Sequence, residues 1–578
     1  MQDIRLGMDR KRKSRVVSPL GSAWTIKNAH LTRGGDIDRR KKFVKQPGTF
    51  PSTTAGLFAI NETLYCVGYD SGEAGNVPSG VTHILTQHPT PATAIIKARG
   101  AEAFDGQLYS IIEYSDGNIY HFYDDDRVTD WDTLASDVGT NDAVAAALAT
   151  AIDKSAVVNA SSASSVVTVT GEENNVSFTI TGATVNNGSN ADQTLTVVQT
   201  QAAGASQPQI NTVTVGGTFE AADQFTVTIN STEEYTVTGG SSGTGTSALT
   251  FKQKLYSTAA SNLYFCALNA PTQWISGTDY GFINMASQTA GQETLVTAEE
   301  YQGLMAIFSA NNIRVWSISE DSSANVFLQT LQNTGTEAPE SVLAYGNNDV
   351  FYYHVSGIRS IKARDSSNAA YVSDVGTAID THIREYSETL NEEQTTRAVS
   401  VIEPVDGRFW MAIGYRVYVL SYFPSAKISA WSYYELDFQI THFAKINDRI
   451  YARGLEDDGT ENLYLYGGTG NDVYPDAGED EVVIELPYIS AQDPASFKEL
   501  LGFDIVGIND WRVDILPDPS DETVTEYQGI ASGTTYGEPR YAVTGVTPLF
   551  AVNLTCRSAG PATLSALAMH YSGNFEDG

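Results

Sequence analysis

AFDGQLYSIIEYSDGNIYHFYDDD, residues 103–126, holds two Asp-Gly pairs, at 105–106 and 116–117, each set between runs of alternating apolar residues. Asp-Gly tolerates positive φ at both central positions of a two-residue hairpin. The Leu, Tyr, Ile and Phe around it suit a pleated, half-buried surface. The same phrase, a turn-former followed by an aromatic-tipped strand, recurs along the chain. It reads INETLY at 60–65, SNLYF at 261–265, ANNIRVW at 310–316, GNNDVFYY at 346–353, DGRFW at 406–410 and INDRIY at 446–451. Internal repetition at some tens of residues marks a radial or linear array. The predicted fold is therefore mainly β, a β-propeller of about six to eight blades.

Composition sets the outer bounds. A chain of 578 residues exceeds one compact core, and about two to four domains are expected. With 30 Tyr and 22 Phe against 6 Met, the aromatic load is that of a β protein. No stretch approaches the roughly 20 apolar residues needed to span a bilayer, so no membrane insertion is expected. The opening MQDIRLGMDRKRKSR has no apolar run behind its charges, and no secretory signal is expected. Cys66, Cys266 and Cys556 each sit in an apolar run, which predicts reduced, buried thiols in a cytosolic product.

Charge is the second strong signal. The chain has 35 Lys+Arg against 69 Asp+Glu, a formal net of −34. Residues 1–45 hold 13 basic and 4 acidic residues, so the rest of the chain is more acidic still. Such a body will not hold nucleic acid by neutralising phosphates, although it can lie beside nucleic acid without sticking. The basic head carries RKRK at 10–13 and RRKK at 39–42. It predicts either an acidic partner surface or a solvated tail, and RKRK also resembles a nuclear localisation patch.

Residues 1–50 read as an irregular basic arm that ends at the breaker QPG, 46–48. Propeller repeats are expected over 51–126 and again over 255–470. Between them, residues 127–254 turn rich in Thr, Val, Ser, Asn and Gly and predict an inserted β-rich or α+β domain. It has one helix, TNDAVAAALATAID at 140–153, capped by Thr140 or Asn141, and a flexible exit, GGSSGTGTS at 239–247. A second helical signal covers 377–398. DVYPDAGEDE at 472–481 marks a boundary, beyond which alternating runs predict a C-terminal β-sandwich over 471–578.

Chemical motifs are sparse. GGTGNDVYP at 467–475 matches a calcium-binding nonapeptide, which makes Asp472 a candidate ligand. A β-roll needs consecutive copies and there is one, so a plain glycine turn is the competing reading. GSSGTGTS at 240–247 has the glycines of a phosphate loop, but Thr246 stands where its lysine belongs. No HExxH, CxxC or zinc-finger spacing occurs. His83, His354 and His442 lie in β-like runs, as packed or surface residues. Neither a catalytic residue nor a cofactor is predicted.

Taken in order, several of these segments are similar to the tail nozzle family (tail tubular protein B, or tail hub) of short-tailed bacteriophages. NAHLTRGGDIDRRKKFVKQPGTF at 28–50 resembles the family's basic opening and Pro-Gly turn. GAEAFDGQLYSIIEYSDGNIYHFYDD resembles its early blade. YQGLMAIFSANNIRVWSISED at 301–321 and APESVLAYGNNDVFYYHVSGIRSIKA at 338–363 resemble later ones, followed by the 377–398 helix and AKISAWSYYEL at 426–436. The likeness covers 28–126 and 255–480; the insertion and the C-terminal part match in character only. The resemblance implies a structural virion protein in the phage tail, assembled in the host cytoplasm. It implies a homo-oligomer, a ring of six, around a channel that conducts viral DNA without specific binding. It also implies docking on a tail adaptor ring below the portal and contacts with fibres, spikes or plug proteins.

Two residue sets follow from that expectation. Carboxylates that repel phosphate across about one Debye length, ~8–10 Å, would suit a channel wall. The candidates are Asp124, Asp125 and Asp126; Glu456, Asp457 and Asp458; and Asp476, Glu479, Asp480 and Glu481. Arg10, Lys11, Arg12, Lys13, Arg15, Arg39, Arg40, Lys41 and Lys42 are the candidates for docking on an acidic adaptor. Two other readings stay open. One is a carbohydrate-binding or depolymerising tail or surface protein, which needs aromatics on an open face. The nozzle reading instead buries Tyr65, Tyr109, Trp316 and Tyr451. The other is a calcium-dependent adhesin.

Overall fold

The computed structural model describes residues 5–68, 76–86, 94–115, 118–131, 141–153, 155–185, 193–218, 223–238, 247–285, 293–365, 374–490, 496–532 and 541–573. The fold is mainly β and of propeller type, assembled from many small antiparallel sheets. The chain divides into two compact units. One comprises Met1–Val67, Ser71–His83 and Thr334–Gly578, the other Gly68–Asp70 and Ile84–Asn333.

The opening stretch forms the hairpin its sequence predicts. Ile95–Phe104 pairs with Gln107–Tyr114 across Asp105 and Gly106, both at positive φ (49° and 79°), and Ile119–Tyr123 follows. The second Asp-Gly pair, 116–117, lies outside the described residues. Asn61–Glu62 and Gln302–Gly303 repeat the double positive φ between their strands. Lys252–Gln253 does so without Gly, Asn or Asp, a turn the sequence does not advertise. Of the aromatics expected inside, Tyr109 and Trp316 are buried, whereas Tyr65 and Tyr451 are half-buried.

In the second unit, meanders of four strands run from Ile95 to Arg127, from Ala248 to Asn284 and from Leu295 to Gln332. The first two share a core in which His121 stacks on Trp131 at 3.9 Å. Tyr109, Tyr264 and Trp274 close around that pair. The inserted domain has a core of its own. Helix Asn141–Ile152 buries Val144, Leu148 and Ile152, one stripe at i, i+4 and i+8, against Val167, Val169, Val213 and Val227. Its sheets contain four and three strands between Val158 and Thr238. Strand Ala248–Phe251, expected within the insertion, instead opens the next meander. Thr140 and residues 239–246 of the expected exit segment lie outside the described residues.

In the first unit, the N-terminal residues are not an irregular arm. Thr25–Lys27 inserts between Ile428–Glu435 (parallel) and Val482–Glu485 (antiparallel), splicing the 399–435 meander to C-terminal strands in one nine-stranded sheet. Ala29–Leu31 and Ile37–Arg39 join Thr563–Gly573, Lys498–Ile508 and Tyr541–Thr547 in a five-stranded sheet. Ile26, Leu31, Ile484, Phe503, Val513 and Leu554 belong to one core cluster. The sandwich expected over 471–578 thus draws strands from residues 25–39, which alternation within the C-terminal segment could not reveal.

QPG does not end a segment either. It lies inside strand Phe43–Phe50, which pairs with Glu461–Tyr466 at the edge of its sheet, and the register slips between Asn462 and Tyr464. Proline lacks the N–H a central strand needs, so an edge bulge accommodates it, with Gly48 at φ 91°. The 377–398 signal splits into Asp380–Ser387 and Glu392–Thr396. A capping box starts the second helix: Asn391 Oδ1 accepts from Gln394 N–H, and Gln394 Oε1 accepts from Asn391 N–H. Cys66, Cys266 and Cys556 are free and buried, and burial pushes the Cys66 and Cys266 thiols up to about 11. Among the described residues no helix is long and apolar enough to cross a membrane.

Candidate functional site

The two charged sets meet each other. Arg40 is buried, and its guanidinium lies 2.5 Å from Asp480 while donating to Asn28 Oδ1 and to the carbonyls of Lys41 and Glu435. Arg39, equally buried, donates to the carbonyls of Glu479, Asp480, Ser558 and Gly560. Lys42 bridges Asp476 (3.3 Å) and Glu479 (2.5 Å); the hydrogen bond it donates to Glu479 is the main reason its pKa is raised. Glu481 pairs with Arg557 at 2.9 Å and Lys45 with Glu456 at 2.8 Å. The basic run 39–42 and the acidic turn 476–481 are therefore intramolecular partners.

Arg15 is also interior, donating to the Leu486 carbonyl at 2.7 Å and to Asn553 Oδ1, with Glu522 at 3.3 Å. This removes Arg15, Arg39 and Arg40 from any docking surface. A buried guanidinium that satisfies several carbonyls cannot also serve a partner. Lys11, Arg12 and Lys13 stay exposed, and Arg10 lies 3.9 Å over the Trp24 ring. Asp457 accepts from the Tyr415 hydroxyl at 2.6 Å, and hydrogen bonds from the Thr460 side chain and then from its N–H lower the Asp458 pKa. Asp125 and Asp126 are exposed in the second unit, whereas burial raises the Asp124 carboxyl, with Asp125 adding repulsion. Asp472 is exposed on a turn pinned by Gly467 N–H to the Lys42 carbonyl. Among the described residues no group of three or more His, Cys, Asp or Glu is placed to hold a metal.

A cavity of about 220 Å³ lies in the first unit where these segments converge. His30, Asp38, Arg39 and Lys41 enter it from the N-terminal strands. Glu403, Asp406, Arg408 and Trp410 come from the DGRFW hairpin, and Asp448, Tyr466 and Tyr474 from the next repeat. The hairpin is self-braced. Glu403 accepts from Val405 and Asp406 N–H at 2.9 Å each, and Arg408 sits 2.8 Å from Asp406. Lys41 N–H donates to the Tyr466 hydroxyl at 3.1 Å, and Tyr434 hydrogen-bonds His30 Nδ1 at 2.8 Å. Burial holds His30 well below the ordinary imidazole range, lowers Lys41 and raises Asp38.

Lys41 had been singled out from sequence, but for docking. His30, Glu403, Arg408 and Trp410 had not. Arg408 and Trp410 carry one signal, the hairpin phrase DGRFW at 406–410, whose charges look like ordinary turn decoration; His30 and Glu403 lie outside it.

No protein-family profile and no curated protein sequence matches this chain. Among solved structures it is similar to a chain of the mitotic checkpoint complex (9% identity, 74% of this chain and 91% of that one, TM-score 0.32). It is also similar to the Pan2 WD40 domain of Neurospora crassa (6%, 53% and 86%, 0.25). A third is the extracellular domain of a putative hybrid two-component system of B. thetaiotaomicron (10%, 97% and 80%, 0.26). Likeness at this level says nothing of activity or partners.

Proposed function

We propose that the chain is a structural virion protein, a tail nozzle subunit that assembles into a closed ring, a hexamer, around a channel for viral DNA. In this reading it hangs below a portal and adaptor and holds the tail appendages. The observation that carries the proposal is the acidic excess on a propeller-type β body. The formal charge is −34, and Arg10, Arg15, Lys27, Arg33, Arg40, Lys42 and Lys45 of the basic head all pair with carboxylates of later segments. These pairs make most of the head an internal counter-ion rather than a free cationic surface, and the chain as a whole keeps its formal excess of carboxylates. A conduit for DNA must not bind DNA, and carboxylates on its wall meet that need.

Partner docking in this reading falls to the exposed Lys11, Arg12 and Lys13. Deleting residues 1–45 is no test of it, because four strands would lose residues. Charge reversal at those three positions is. Negative-stain imaging of the purified full chain, with a DNA mobility assay at low salt, tests the proposal as a whole. Hollow rings that leave DNA unretarded are expected; a monomer at all concentrations, or tight DNA binding, overturns it.

A further inference from the structure

The cavity described above has an unusual inventory of unmet hydrogen-bonding groups. Trp410 is 1% exposed, and its indole Nε1 has no partner. Arg408 and Arg39 are buried, and each leaves its Nε without an acceptor although the rest of the guanidinium is engaged. Among the described residues the Lys41 ammonium has neither a hydrogen bond nor an ion pair. Its nearest charges include Arg408 and Arg449 as well as Glu403 and Asp406. Buried donors without acceptors are costly, so several on one cavity point to an acceptor-rich occupant.

A simple oxyanion is a poor match. Asp38, Glu403, Asp406 and Asp448 also line the space and would repel a compact anion. Glu403 and Asp406 are neutralised by Arg408 and by backbone N–H groups. Asp38 keeps one hydrogen bond, from Thr563, and Asp448 is exposed. These two carboxylates can accept from ligand hydroxyls, while Lys41 supplies a cation whose ammonium is engaged by no group among the described residues, unlike Arg39, whose guanidinium is taken up by backbone carbonyls. Trp410, Tyr466 and Tyr474 add flat apolar surface. The volume equals about seven waters at about 30 Å³ apiece, enough for a single pyranose ring and too small for a longer chain.

We propose that this cavity binds one sugar-acid unit, a hexuronate, with its carboxylate on Lys41, its ring oxygen and a hydroxyl oxygen accepting from Arg408 and Trp410, and hydroxyls donating to Asp38 and Asp448. The unit is either free or the exposed end of an acidic polysaccharide. The inference stands apart from the ring assembly, and neither depends on the other.

Saturation-transfer NMR on the full-length protein tests it, with glucuronate, glucose, acetate and an oligouronide as probes. Glucuronate should bind in the millimolar range, at least tenfold more tightly than glucose, and acetate should give no competing signal. An oligouronide that binds through its terminal ring identifies the polysaccharide source; one that is excluded identifies the free acid. Lys41→Met should abolish the preference for glucuronate over glucose. Trp410→Phe, which keeps the ring and loses the donor, should weaken glucuronate and glucose alike. Should either variant fail to fold, Asp448→Asn at the exposed rim should still weaken glucuronate severalfold. No glucuronate signal, equal affinity for glucose or acetate, or variants indistinguishable from the parent would overturn the assignment.

Discussion

Arg40 and Asp480 lie 2.5 Å apart, 440 residues from each other in sequence, and tie the N-terminal strands to the turn that opens the C-terminal half of the sandwich. Arg40 is 2% exposed, and no lysine could replace its guanidinium while reaching Asn28 and two carbonyls together. Removing one partner from a buried pair leaves an uncompensated charge, which costs about 3–5 kcal/mol when burial is complete. Asp480 is partly exposed, so Asp480→Asn should lose about 2–3 kcal/mol in urea unfolding. Lys42→Met, which breaks more exposed contacts to Asp476 and Glu479, should cost less than about 1 kcal/mol. Equal losses would show that the turn is not clamped through Arg40.

Glu102, on Ile95–Phe104, and Glu299, on Leu295–Tyr301, give the second unit a pH dependence. Burial raises both carboxyls from 4.5 to about 7, and Glu102 adds repulsion at Glu299. Below pH 4.5 the folded and unfolded forms are both protonated, so neither group contributes. As pH rises from 4.5 to 7 the unfolded chain loses these protons first, which lowers stability until the folded groups also ionise. Glu299→Gln should therefore stabilise by about 2 kcal/mol at pH 8 and by nothing measurable at pH 4, read as the shift in denaturation midpoint. The same gain at both pH values would exclude ionisation as the cause.

Much of the fold was legible because hairpins are local. Asp105–Gly106 and Asn61–Glu62 announce their turns within four residues, and period-2 alternation marks the strands on either side. The inserted domain was legible through its loss of Lys and Arg and through one apolar helical stripe. What stayed hidden is long-range. Nothing near Thr25–Lys27 says that it will pair with residues 428–435 and 482–485, and the basic residues around it suggest a free arm until their carboxylates are located. The cavity was hidden for the same reason: Lys41, Arg408 and Asp448 converge only through the pairing of sheets. Arg15, Arg39, Arg40 and Lys42 thus announce their charge in the sequence but not the groups of the same chain that meet it.

Lys254 offers an asymmetric test of burial. Its ammonium is fully buried, donates to the Asp279 carbonyl at 2.9 Å, lies 2.5 Å from the Asp279 carboxylate and stands 4.9 Å over the Phe265 ring. Asp279 has other donors, since it accepts from Ser322 N–H and hydroxyl and keeps some solvent. Asp279→Ala strands a buried cation and should cost about 3–5 kcal/mol. Lys254→Met leaves Asp279 hydrogen-bonded and should cost about 1 kcal/mol. Thermal unfolding of the two variants side by side decides it, and a larger loss for Lys254→Met would show that the ammonium, not its pairing, holds the loop.

Gly454 is set by packing rather than by backbone conformation. Phe438 and Tyr464 stack at 3.8 Å and 4° across the strand that carries it. A Cβ at Gly454 would fall 2.5 Å from Phe438 Cδ2 and 2.7 Å from Tyr464 Cε2, so both rings would have to part. Overpacking of this kind costs about 1–3 kcal/mol, and near-UV circular dichroism should report the broken stack. Gly407 makes the control, because its added Cβ meets nothing within 4 Å and the only strain is its φ of 70°. Gly407→Ala should then cost about 1 kcal/mol and leave the aromatic signal unchanged. If Gly454→Ala alters stability without touching that signal, the glycine is needed for the backbone and the rings are bystanders.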